Sequence, residues 1–467
     1  MATACARVLA GILVVMLALG PALAASPEPG DPTYHSLRYN DDFSYLAGNP
    51  AKSDFWDPIK YIPIGNGSYG PTWLSLGGEL RERFESYLNP NFGIHAPKSN
   101  AYLLSRLLLN ADLHLTDYVR IFVQLGNLER IGDRGVTSTT DIDHFDVMQG
   151  FIDLRPPSPF GDQPVFRVGR EELLFGFQRL IAVREGPNVR RDFDGFRFID
   201  HWGDASIDLL AVRPVNPSPG DLDDHYSGTQ MLWGGYLTVP IGPALKADFY
   251  QLNFENTAAK FRGLTGVEQR NTFGIRLFGE YGGFDWNGEA AWQTGSFHNH
   301  DISASMLAGI AGYTFRDVMW VPRIGLESNF ASGDNSHSST IGTFNAMFPR
   351  LPYFAETSLL VPANIVDVRP VFSFVPVEDV TATFGWDSLW RVSDTDGLYG
   401  SAMVLYTNTN KGGSQRVGTE LSADIRWRVN QHLIVGAIAA EFLAGPAVTE
   451  ALGKTVTFFV LFGTYRF

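Results

Sequence analysis

Between residues 164 and 198 the chain gathers Arg167, Arg170, Glu171, Glu172, Arg179, Arg184, Glu185, Arg190, Arg191, Asp192, Asp194 and Arg197. A guanidinium is planar, permanently charged and presents a fork of donors, so such a cluster suits the gripping of carboxylates or phosphates two oxygens at a time. Adjacent cations such as Arg190 and Arg191 repel unless carboxylates or a bound anion compensate them. Two arrangements satisfy that requirement. Either the interleaved Asp and Glu residues neutralise the arginines internally, or the cluster forms a basic constriction that concentrates anions in a confined passage. Composition points the same way without deciding, since 36 residues are Lys or Arg and arginine far outnumbers lysine. GC-rich codon usage would produce the same excess.

Other chemistry is poorly supplied. The one cysteine is Cys5, so disulfide, thiolate-metal and cysteine-nucleophile readings fail. Gly65-Asn66-Gly67-Ser68-Tyr69-Gly70 matches a dinucleotide-binding glycine pattern, but it lies between Pro63 and Pro71 with no helix after it. His298-Asn299-His300-Asp301 offers two imidazoles and a carboxylate where a metal needs three or four converging ligands. Asp221-Leu222-Asp223-Asp224 could clip a calcium ion, but lacks the spaced glycine and terminal glutamate of a calcium loop. No cofactor and no metal are expected. An enzyme would need a serine or an acid beside a histidine; no Gly-x-Ser-x-Gly occurs and the ten histidines are scattered. The formal charge of −14 argues against nucleic acid as a partner.

The elements that must carry these arginines show themselves by period-two alternation. In 416–428, Val417, Thr419, Leu421, Ala423, Ile425 and Trp427 oppose Arg416, Glu420, Ser422, Asp424, Arg426 and Arg428. The same split recurs in 74–85, 284–295 and 380–391, with Trp and Phe prominent on the apolar face, as a lipid-facing surface with aromatic girdles requires. Eighteen such segments can be placed, from 73–85 to 455–467. The links after odd-numbered segments are mostly long (86–100, 128–145, 171–193, 214–227, 254–269, 333–365, 392–415 and 444–454). Those after even-numbered segments are mostly tight turns, such as Thr116-Asp117 and Asn430-Gln431. Long loops on one rim and tight turns on the other predict an all-β fold, a transmembrane antiparallel barrel of the outer-membrane kind. A barrel serving only structure or adhesion would have the same pattern.

The chain begins with Arg7, an apolar run from Val8 to Leu19 and a small-residue end, which predicts a signal peptide over 1–24 cleaved after Ala24. Residues 25–72, rich in proline, show no strand pattern and predict an irregular N-terminal arm on the periplasmic side. The barrel is expected over 73–467, ending on an aromatic strand that resembles the insertion signal of outer-membrane barrels, although Phe458 and Phe462 fall on the lumen face.

Within the arginine cluster, the run Arg167-Val168-Gly169-Arg170-Glu171-Glu172-Leu173, then Gly176, Arg179-Leu180 and Asn188-Val189-Arg190-Arg191-x-Phe193-Asp194-Gly195-x-Arg197, resembles the alginate-export family of outer-membrane barrels. Phe151-Ile152-Asp153, Leu389-Trp390-Arg391-Val392-Ser393-Asp394 and Gly418-Thr419-Glu420-Leu421 agree with it. The resemblance spans about 75 to 467 and implies an eighteen-stranded barrel through which a linear uronate polymer passes, guided by lumen arginines. It also implies an outer-membrane lipid environment and contact with periplasmic export components. Two departures stand out. Gln149 replaces an arginine of the family pattern, and the long periplasmic turn that plugs the family's pore shrinks to Asn430-Gln431. Unless the arm substitutes for that turn, the resting pore should be open on the periplasmic side. A different acidic glycan, a small organic acid or a sugar acid would fit the same lumen.

On this register Arg81, Arg83, Arg106, Arg120, Arg167, Arg197, Arg391, Arg426 and Arg428 project inward. Arg170, Arg179, Arg184, Arg190 and Arg191 would form the constriction. Glu79, Glu85, Asp208, Asp248, Glu280, Glu289, Glu420 and Asp424 share the lumen with them.

Overall fold

Alternation at period two gives each segment one face that avoids water and one that carries charge, and a closed sheet is the form in which no backbone group is left unpaired in lipid. The computed structural model describes residues 34–48, 54–132, 138–158, 163–335 and 337–467. The expected leader, with Cys5 and the cleavage point, lies outside them, as does the beginning of the arm. The barrel strands are β1 (Gly70–Leu88), β2 (Ser99–Thr116), β3 (Val119–Ile131), β4 (Asp143–Leu154), β5 (Val165–Glu172) and β6 (Asp192–Trp202). They continue with β7 (Ala205–Asn216), β8 (Gln230–Gly242), β9 (Leu245–Phe261), β10 (Leu264–Tyr281), β11 (Phe284–Phe297) and β12 (His300–Thr314). The last six are β13 (Arg323–Ala331), β14 (Ile365–Val377), β15 (Val380–Trp390), β16 (Arg416–Arg428), β17 (Leu433–Ala444) and β18 (Val456–Arg466). Each pairs antiparallel with its neighbours, and β18 closes on β1 from Glu79 opposite Arg466 to Leu88 opposite Thr457. The result is a closed eighteen-stranded barrel.

The two faces separate as the alternation requires. Leu80, Phe84, Leu107, Phe249, Phe273, Trp292, Leu307, Trp386 and Leu461 are exposed on the outside, whereas Glu79, Arg81, Arg106, Asp248, Glu289 and Glu420 are buried inside. A belt of large exposed apolar side chains is a liability in water and a requirement in lipid.

Two expectations about connections are corrected. Residues 254–269 are not a loop: β9 and β10 run on to a turn at Arg262-Gly263. The outer part of this hairpin mixes polar residues with Ala258, Ala259, Phe261, Leu264 and Val267 across a register shift after Asn256, so the alternation fades while the strand continues. Nor is the arm wholly irregular, because Ile62–Gly67 pairs antiparallel with the start of β1. The glycine-rich motif is this hairpin's turn, with Gly70 at φ +102°, a conformation that favours glycine.

Candidate functional site

The lumen is furnished by loops as much as by its wall. Residues 173–191, which connect β5 to β6, carry their own apolar set: Leu173, Leu180, Ile181, Ala182, Val183 and Val189 are all buried. A loop with that much apolar surface cannot remain at a wet rim, and it folds inward. There it zips onto the loop 332–364: Phe348 N–H donates to Leu180 O, Arg350 N–H to Gln178 O and Gly186 N–H to Leu351 O, each at 3.0 Å. The Phe348 ring meets Phe193 of β6 and Phe254 of β9 edge-on, which anchors the paired loops to the inner wall.

Most of the arginines predicted for the lumen are held there by carboxylates. Arg106, fully buried, reaches Glu79 at 3.2 Å and Glu185 at 2.8 Å. Arg81 donates to the Glu185 carbonyl at 2.8 Å, and Arg190 lies 3.0 Å from Glu172 and 3.3 Å from Glu185. Burial raises the Glu185 carboxyl, but the charges of Arg106, Arg190 and Arg81 outweigh it and hold the group below the usual carboxylate range. Arg167 forks onto Asp153 at 2.7 and 2.9 Å and also reaches Glu171, which Arg197 shares at 3.0 Å while pairing with Asp208 at 2.7 Å. Arg120 forks onto Asp112, Arg170 onto Asp194, and Arg179 reaches Glu289 at 2.8 Å. Arg83 pairs with Glu85 and Arg426 with Asp424; Arg428 is exposed at the end of β16. Gln149, at the place of the family's arginine, donates to Gln124 at 3.0 Å.

Arg391 is a correction. It follows the end of β15 instead of lining it, and its guanidinium is consumed by the carbonyls of Ser414, Thr409 and Gly412 at 2.5–2.8 Å. It ties the loop 391–415 together.

Two loop cations differ from the rest. Among the described residues neither Arg184 nor Arg191 makes an ion pair. Arg184 donates to its own loop at Val189 O (3.0 Å), leaving Nε without a partner. Arg191 lays its guanidinium 5.2 Å from the Phe348 ring and leaves Nη1 unpartnered. Burial lowers Arg184 to about 10 despite the opposing charge of Asp192. Burial and then the charge of Arg184 push Arg191 well down. Asp192 and Asp141 partly offset the shift at Arg184, and no carboxylate offsets that at Arg191.

Sequence reasoning missed Arg270, Arg276, Arg350 and Arg369. Arg276 pairs with Asp248 at 2.6 Å and Arg270 with Glu268 at 2.7 Å, while Arg350 and Arg369 converge on Glu327. Arg270, Thr272 and Arg276 share one parity in β10, a signal that was present in the strand pattern.

The mouth of the barrel at its tight-turn end is occupied by the arm. Tyr39 of the arm packs edge-on against the stacked pair Phe122 and Phe151, with Arg167 over its ring at 4.4 Å and its hydroxyl donating to Glu172 O at 2.9 Å. Arg120 donates to Tyr39 O at 2.6 Å, and Arg190 to Ser36 O at 2.8 Å, so wall and loop both grip the arm. Arg38 donates to Gly78 O and Phe467 O across the β1–β18 seam, and Trp56 stacks on Phe467 at 4.4 Å. Lys60, fully buried, donates to Leu76 O at 3.0 Å. It fits because Gly77 lacks a side chain: a Cβ there would stand 2.9 Å from the ammonium. The short Asn430-Gln431 turn holds the arm's edge, Gln431 donating to Asp54 at 2.6 Å.

A family model described as alginate export matches residues 72–462. No curated protein matches by sequence. Among solved structures, Pseudomonas aeruginosa OccK11 (OpdR) aligns at TM-score 0.56 and 11% identity, covering 84% of this chain and 95% of its own. Acinetobacter baumannii OccAB1 aligns at 0.56 and 10%, covering 84% and 96%. Pseudomonas aeruginosa OccK2 (OpdF), solved in complex with glucuronate, aligns at 0.56 and 9%, covering 84% and 97%.

Proposed function

This chain belongs to the alginate-export family, and from that premise we propose that it is an outer-membrane channel that passively conducts an anionic saccharide. The observation that carries the reading is the pair Arg184 and Arg191, two buried guanidiniums on a loop inside the lumen that, among the described residues, reach no carboxylate at ion-pair distance. A solute carboxylate would complete them, as the protein's own carboxylates complete the neighbouring arginines. Because Arg106, Arg167, Arg170, Arg179, Arg190 and Arg197 are already matched, they shape the passage and fix the loop, and they do not trap a polyanion along its whole length. Mixed charge of this kind permits release as well as entry.

A second reading, entry of small sugar acids or organic acids, is favoured by the filling of the lumen by the paired loops 173–191 and 332–364. The glucuronate held by OccK2 is a solute of that size. In both readings the leader over 1–24 is removed, no chemical step is performed, and periplasmic export components are partners only if the solute is a polymer.

The test is the reversal potential of the purified barrel in planar bilayers under a salt gradient. Anion preference is expected, shifting toward cations when Arg184 and Arg191 are both replaced by Ala. Glucuronate and uronate oligomers added in turn should interrupt the current of the wild type and not of the double variant. Interruption by the monomer alone selects the small-acid reading. Cation preference in the wild type would overturn both.

A further inference from the structure

Away from the Glu185 network, the described residues include a fully buried carboxylate at Asp143 with no cation paired to it. Asp143, the first residue of β4, is 0% exposed, and neither carboxylate oxygen has a hydrogen-bond partner. An ionised carboxylate in that condition is strongly disfavoured. Its surroundings deepen the problem: oxygens of Asp143, Asp146 and Asp224 lie within 4.8 Å of one another.

The backbone brings these groups together by a specific device. In a regular strand, residues three apart face opposite sides. Here β4 carries one extra residue: Asp143 stands opposite Leu128 and Asp146 opposite Gly126. Such a bulge re-aims side chains, and it turns both carboxylates to one side. The third comes from the loop 217–229, which is fastened to the same place. Asp146 accepts the backbone N–H groups of Asp223 and Asp224 at 2.8 and 3.1 Å, and Asp224 accepts that of Ser218 at 2.6 Å. Arg170, the nearby guanidinium, is forked onto Asp194 at 2.8 and 3.1 Å and stands 3.8 Å from Asp146. Its one charge is already shared.

We propose that Asp143, Asp146 and Asp224 hold a calcium ion at the extracellular rim, stapling the loop 217–229 to β4. The donor set is all carboxylate oxygen, which suits a hard cation and not zinc. Oxygens on opposite sides of a calcium ion stand about 4.6–5.2 Å apart, twice its usual bond length of roughly 2.3–2.6 Å, and the cluster is of that size. The ion's remaining positions would be filled by water or carbonyls.

The experiment uses the full barrel, refolded in detergent free of lipopolysaccharide and stripped with EDTA. Equilibrium dialysis against radiolabelled calcium chloride should give one ion per chain, with a Kd on the order of 10⁻⁴–10⁻³ M, the range of extracellular calcium modules. Magnesium chloride should compete at least tenfold more weakly. Calcium should also protect the exposed Leu222 and Tyr226 from chymotrypsin. Asp143→Asn should abolish both effects. If that variant does not fold, the wild-type dialysis and proteolysis still decide. Absence of saturable calcium binding by the wild type, or an Asp143→Asn barrel that binds calcium equally well, overturns the proposal and leaves Asp143 and Asp224 sharing a proton.

Discussion

Replacing Tyr39 with Ala should unseat the arm and open the periplasmic mouth. The ring is 5% exposed, meets Phe151 and Phe122 edge-on at centroid distances of 5.4 and 6.1 Å, and lies under the Arg167 guanidinium. Its hydroxyl is satisfied by Glu172 O. Truncating a buried aromatic side chain to alanine costs about 3–5 kcal/mol. Each 1.4 kcal/mol is roughly a factor of ten in an equilibrium constant, so the ratio of undocked to docked arm should rise by about two to three and a half orders of magnitude. The loss falls on docking and not on the barrel, whose strands do not depend on Tyr39. Single-channel recordings in planar bilayers read the difference directly. The wild type should be closed most of the time with rare openings, the Tyr39→Ala barrel should open frequently, and a barrel lacking residues 26–61 should stay open. Circular dichroism and heat-modifiable migration on gels check that all three are intact barrels. Identical conductance records from the three proteins would refute the assignment of the arm as the plug. Closure of all three would instead place the block in the paired loops 173–191 and 332–364.

Two further outcomes follow from the same network. Arg106→Ala removes one of the two cations that hold the buried Glu79, leaving Arg466 at 2.9 Å, so the loss should fall below the roughly 3–5 kcal/mol of a fully uncompensated buried charge; the temperature at which the heat-modified band appears should fall, and adding Glu79→Gln should restore part of it. Lys60 has its pKa lowered to about 7 by burial, with the charge of Arg38 adding to it. Docking therefore releases a proton between pH 7 and the ordinary lysine range, and the arm's seat strengthens as pH rises across that interval. Opening frequency should increase as pH falls from 10 to 7 and level off below, and Lys60→Met should flatten the curve.

The barrel was legible because its physics is local. A strand that faces lipid on one side and water on the other writes alternation into its own residues, and segments such as 74–85 and 416–428 could be placed without reference to anything distant. The sense of the lumen arginines was legible for the same reason, since within their own strands Arg81 shares parity with Glu79, Arg106 with Asp112 and Arg167 with Glu171. What could not be read was pairing between elements far apart in sequence. That Glu185 meets both Arg106 and Arg190, or that Phe348 seats the loop 173–191, depends on how two long loops meet inside the lumen. The arm's docking site was not legible for a related cause. Tyr39, Trp56 and Lys60 carry no period of their own, because each fills a separate place prepared by the wall. Arg391 shows the converse error: alternation carried the strand one residue too far, where loop carbonyls had already claimed the guanidinium.

The arm's anchor points have a consequence for how the protein is made. Arg38 spans Gly78 on the first strand and Phe467 beyond the last, and Gly78 and Phe467 exchange backbone hydrogen bonds of 2.7 and 3.0 Å. Asp54, on the same arm, is held by His432 at the start of the penultimate strand. The docking surface thus does not exist until the two edges of the sheet have met. A barrel still open along its seam offers the arm half a seat, so stoppering must be the last event of assembly, and the arm behaves as an inspector that signs only a finished cylinder.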